Sequence, residues 1–160
     1  MSLFFIILFM VYDVIACRDR AVNKFNKLHL KPLFCPALNR EVKFTNEGFS
    51  HITYKDDKHR RSDEEQSVRF NCFLHVEEII KKSHLYQEYR VKETELVIRK
   101  YGQNMKKIHS IEYFGFVGVI EHNKIKDRIR VVVSHKVGTD YAEFLSVVPA
   151  RNTVGYRNFM

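Results

Sequence analysis

The chain has 160 residues and a formal charge of +8 at pH 7, from 27 Lys and Arg against 19 Asp and Glu. Apolar residues make up 45% and charged residues 29%, which excludes the disordered, fibrous and multi-span membrane classes and suits one globular domain with its own core. The positive surface field implied by this balance draws polyanions, with nucleic acid first among candidate partners.

Residues 3–15 are apolar apart from Asp13, a run too short to span a bilayer, and no Lys or Arg precedes it as a signal peptide requires. Val14-Ile15-Ala16-Cys17 nevertheless looks like a lipoprotein cleavage box, so an exported lipoprotein modified at Cys17 stands as the alternative to a cytoplasmic protein. The competing reading is an apolar helix or strand that packs on the domain or on a second copy, with a basic stretch, 18–31, returning the chain to solvent. Cys17, Cys35 and Cys72 lie far apart and match no paired metal-ligand spacing, so they read as reduced cytoplasmic thiols.

Pro32 and Pro36 discourage helix and suggest an extended entry to the domain. Residues 1–32 therefore read as an apolar then basic extension, 33–150 as the domain and 151–160 as a tail. Residues 41–44 alternate like a short strand, and Thr45 offers an N-cap for a helix reaching about Lys55. After a cation-rich connector containing Arg60 and Arg61, Ser62 and Glu65 form a capping box for a second helix over 63–82. Val68, Cys72, Val76, Ile79 and Ile80 make its buried stripe, with Arg69 at the edge.

Residues 95–101, 108–120, 128–137 and 143–148 are rich in β-branched and aromatic residues and read as four strands. Turn residues 102–104, 122–124 and 138–140 separate them, so the simplest arrangement is an antiparallel meander behind the helices, an α+β order. Ile129, Val131 and Val133 alternate with Arg128, Arg130 and Val132, which turns one strand face toward the helices and leaves Arg130 and Lys136 on the open side. His135 shares the apolar parity and reads as partly buried.

No glycine-rich phosphate loop, Gly-x-Ser-x-Gly elbow or His-Glu-x-x-His pair occurs, and the acids are scattered. The expectation is a site with neither metal nor cofactor.

The segment Val42-Lys43-Phe44-Thr45-Asn46-Glu47-Gly48-Phe49-Ser50-His51-Ile52 precedes a basic connector and a helix with an Arg near its start. Arg130-Val131-Val132-Val133, Lys136-Val137-Gly138 and Phe144-Leu145-Ser146-Val147-Val148-Pro149 follow. Over 35–149 this order resembles the barnase–EndoU–colicin–RelE group of small nucleases, in particular its phage and mobile-element branches. The resemblance implies two helices packed on one face of a four-stranded antiparallel sheet. It also implies an endoribonuclease that works without metal, through attack of the 2′-hydroxyl on its own phosphate, such as a toxin or effector of a mobile element. By motif position it assigns His51, Arg69, Arg130 and Ser146 to catalysis, with Lys55, Arg60, Arg61 and Lys136 on the nucleic-acid backbone, RNA preferred over DNA.

That chemistry needs a proton carrier and cations around a crowded phosphorane; an unperturbed imidazole titrates near pH 6.5, and guanidiniums hold phosphate oxygens bidentately. An antidote protein is a further candidate partner. The alternatives are a non-catalytic nucleic-acid-binding module and a membrane-tethered or self-associating accessory protein acting through residues 3–15.

Overall fold

A computed structural model describes the backbone of residues 3–122 and 125–150 and the side chains of residues 13–121 and 126–150. The helices are α1 (Leu3–Leu30), α2 (Asn46–Thr53), α3 (Asp63–Phe73) and α4 (Val76–Lys82). The strands are β1 (Leu33–Cys35), β2 (Arg40–Lys43), β3 (Glu88–Lys100), β4 (Gln103–His122), β5 (Ile125–Lys136) and β6 (Tyr141–Pro149).

The local helix signals operate as read. The Thr45 hydroxyl accepts from the Gly48 amide at 3.2 Å and starts α2. Ser62 and Glu65 exchange both bonds of a capping box at the head of α3, satisfying amides that a helix start otherwise leaves bare.

The expected architecture of two helices on a four-stranded antiparallel meander is overturned. The sheet has six strands in the order β1-β2-β6-β5-β4-β3, and β2 runs parallel to β6. The meander β3 to β6 is present, but β1 and β2 extend it past β6. The short strand expected at 41–44 is β2, but its partner β1 has only three residues, too few for alternation to be read, and their hairpin turns through Asn39 at φ 49. The single helix expected over 63–82 breaks at Leu74 and His75 into α3 and α4. The break lets Phe70 and Phe73 face one part of the core and Val76, Ile79 and Ile80 another, while Val68, expected inside, is exposed.

The N-terminal segment is a helix that packs on the domain, and the stretch 18–31 expected to return to solvent supplies part of the core. Cys17, Ala21, Phe25 and Leu28 recur at helical spacing along α1 and enter the core, where α1 packs against α3. The His29 ring, bonded to the Phe44 carbonyl at 2.7 Å, ties the end of α1 to the end of β2. Among the described residues no helix is long and apolar enough to cross a membrane. Residues 123–124 of the expected turn, the tail at 151–160 and most side chains of the apolar run at 3–15 lie outside the described residues.

The core is aromatic. Phe44 stacks on Phe144 at 5.2 Å between ring centroids, Phe73 meets Phe144 edge-on at 5.4 Å, and Phe49 joins Phe25 at 4.4 Å. This cluster seats α1, α2 and α3 on the sheet face that presents Phe116, Val131, Val133 and Phe144.

Candidate functional site on the open sheet face

Strand parity decides which side chains escape the helices. On β5, Ile129, Val131, Val133 and His135 are buried, and Arg128, Arg130, Val132 and Lys136 point to the other side. Pairing carries this division across the sheet: Glu88 lies beside Gly115, Gly115 beside Val132, and Val132 beside Ser146.

A bulge in β6 sharpens the row. Phe144 and Val147, three residues apart, are both buried because the register shifts between Val132 and Val133, so Leu145 and Ser146 together oppose a single β5 residue. Both then turn to the open face.

Glu88 reaches diagonally over Gly115 to Arg130, and its Oε2 accepts from Nε and lies 2.9 Å from Nη2. A Cβ at position 115 would stand 2.8 Å from that oxygen, so glycine is what leaves room for the carboxylate to lie flat on the sheet. The other Glu88 oxygen is buried and makes no hydrogen bond among the described residues. Around the pair is an open concavity of about 780 Å³ lined also by Arg90, Tyr113, Arg128 and Leu145. The Arg90 guanidinium lies over the Tyr113 ring at 5.0 Å. By the same parity Lys92 and Lys136 share this face, while Glu93 and Glu112 turn to the opposite one.

Arg69 arrives from α3. β2 pairs only with the first residues of β6, which among the described residues leaves the rest of that edge without a strand. The Arg69 guanidinium donates there to the Val147 carbonyl at 3.2 Å and to the Ser146 hydroxyl at 3.4 Å. Burial, then repulsion from Arg61, pushes Arg69 down to about 10.

Of the four residues expected to form the catalytic group, the structure thus brings Arg69 and Ser146 into contact and places Arg130 further along the same face. His51 stands apart. It lies on α2, whose Ile52 is in the core beneath the helices, and its backbone carbonyl accepts from Arg61 Nε at 3.1 Å. Its ring makes no hydrogen bond among the described residues. Lys55 and Arg60 are drawn to acids at the head of α3, with Glu65 and Asp63 both at 3.8 Å. Lys136 is exposed at the end of β5.

Sequence reasoning missed Glu88, Arg90 and Tyr113 as site residues. The strand pattern was recognisable only from residue 95, so Glu88 fell outside every expected element, and no local signal pairs an acid with an arginine 42 residues away. It also missed a polar cluster on the helix side, where the buried His135 bonds Glu112 at 2.7 Å, the Thr139 carbonyl at 2.9 Å and Arg40. The hydrogen bond from His135, then that from Tyr89, holds Glu112 below the usual glutamate range. The cluster joins β2, β4 and β5, a structural duty.

Among the described residues no three His, Cys, Asp or Glu side chains gather as a metal-ligand set. No family model, curated protein or solved structure matches the chain.

Proposed function

We propose that the protein is a metal-independent endoribonuclease whose RNA lies across the open sheet face. The observation that carries this reading is the Glu88–Arg130 pair, a carboxylate with one unbonded oxygen held against a guanidinium in a cationic concavity. An RNA phosphate entering there exchanges its oxygens for the carboxylate on Arg130, with Arg128 and Arg90 adding charge and Tyr113 offering a ring for a base. The freed Glu88 carboxylate takes the 2′-hydroxyl proton as that oxygen attacks phosphorus. The leaving 5′-oxygen takes its proton from the water that fills this open concavity, while the Arg69 guanidinium and the Ser146 hydroxyl, at the far end of the row, hold a flanking phosphate of the same strand. His51 has no part in this version of the chemistry, because α2 packs on the other side of the sheet.

The test is incubation of the purified protein with labelled RNA in a chelator, and analysis of the ends. Products ending in a 2′,3′-cyclic phosphate, lost when the substrate carries 2′-deoxyribose, are expected. Glu88→Gln is expected to slow cleavage by about 10²–10⁴-fold and His51→Ala to leave it nearly unchanged. Tight RNA binding with no cleavage by the wild type would overturn the catalytic reading and leave a nucleic-acid-binding module on the same face.

A further inference from the structure

Among the described residues β3 ends the sheet, and its sole strand partner is β4. Every residue from Tyr89 to Lys100 is exposed, so no helix covers either side of this strand. Its 13 residues span about 40 Å at roughly 3.3 Å each. Natural edge strands of this length are blunted by Pro, by bulges or by charge pointing inward, because unpaired amides and carbonyls template another strand. β3 has no Pro, pairs with β4 without a register shift, and carries three consecutive apolar residues, Leu96, Val97 and Ile98, with Val97 64% exposed. A two-stranded ribbon is marginal in water without a further strand or layer.

The order of residues around Val97 is self-complementary. Glu95 precedes the apolar triplet and Arg99 follows it. When two copies of β3 run antiparallel with Val97 opposite Val97, Leu96 of each faces Ile98 of the other, and Glu95 of each faces Arg99 of the other. Neighbouring registers do worse: centring the pair on Leu96 sets Val97 opposite Glu95 and Lys92 opposite Lys100, and centring it on Ile98 sets Val97 opposite Arg99 and Leu96 opposite Lys100. The Val97 register pairs only residues 94–100 of each strand, so the two domains lie at opposite ends of the joint.

We infer that the exposed edge of β3 is a homodimer interface in which a second copy of this chain pairs antiparallel through Leu96-Val97-Ile98, locked by two reciprocal Glu95–Arg99 ion pairs. The interface is isologous, as two-fold symmetry requires, and it joins two six-stranded sheets into one. It gives the ribbon the third strand that it lacks.

Sedimentation of the full chain through a dilution series reads the outcome directly. The wild type is expected to approach twice 19.1 kDa. Glu95→Arg and Arg99→Glu each oppose like charges twice, and each alone is expected to weaken the dimer about tenfold or more. Mixing the two variants restores opposite charges at both positions and is expected to recover a heterodimer, a result that misfolded chains cannot produce. A wild type that remains monomeric throughout overturns the inference. So does a dimer that neither variant weakens, since it then sits on another surface such as α1, and so does a mixture that fails to recover pairing.

Discussion

Glu88 and Arg130 meet at 2.9 Å across β4, and Gly115 is the residue that lets them. The pair sits among other cations, with the Arg130 side chain 18% exposed and its partner 26%. In that setting the carboxylate anchors the central arginine, and under the proposed ribonuclease reading it is the group that takes the ribose hydroxyl proton. Replacing Gly115 by Ala is therefore expected to push Glu88 off Arg130. RNA cleavage should fall about as far as in Glu88→Gln, and urea unfolding should show a loss of roughly 1–3 kcal/mol from the forced shift. Unchanged cleavage by this variant would separate the glycine from the chemistry.

The second close approach is structural. A Cβ at Gly48 would stand 2.1 Å from the Phe144 carbonyl oxygen, a backbone atom that cannot turn aside. α2 crosses the edge of β6 at this point, so Gly48→Ala has to lift the helix from the strand and loosen Phe49 and Ile52. A destabilisation of about 3 kcal/mol or more is expected in chemical denaturation. A midpoint close to that of the wild type would show that α2 can slide without loss.

Acid should release α1 from α4. Hydrogen bonding from Lys24, then from Lys81, lowers the Glu77 carboxyl from the ordinary value of 4.5 to about 2. A group depressed in the folded state contributes stability that is fully present above its unfolded value and is lost as pH falls toward the folded one. The wild type is therefore expected to lose stability between about pH 5 and pH 2. Glu77→Gln should lose less over that interval, and the difference between the two denaturation curves measured against pH checks it. Parallel curves would show that the contact with Lys24 contributes nothing in solution.

The thiols should be silent in the native protein. Cys17, Cys35 and Cys72 are free and buried, and desolvation pushes Cys72 up to about 11 and raises Cys35 as well. A thiolate is the reactive form, so an aromatic disulfide reagent at pH 8 is expected to label the folded chain slowly and all three cysteines on unfolding. Rapid labelling of one thiol before unfolding would locate a segment that opens locally.

Short-range physics was open to reading from the residues alone. Thr45 and Ser62 cap helices through bonds to amides three residues on, and the alternation along β5 sends Arg130 one way and Val131 the other whatever the strand is paired with. The predominance of β-branched residues late in the chain foretold the long strands and the α+β class. The catalytic assignment came instead from the resemblance to small nucleases: of its residues, Arg69, Arg130 and Ser146 lie on the open face or at its border, and His51 lies on α2, away from Arg130.

What only the tertiary structure decided rests on contacts between distant segments. The parallel pairing of β2 with β6, the division between α3 and α4, and the entry of α1 into the core each depend on how much apolar surface a partner elsewhere in the chain offers. No local preference encodes that quantity. Glu88 belongs to the same class: nothing near it in sequence marks it, and it gains a role only because folding lays it over a glycine and against a guanidinium 42 residues away.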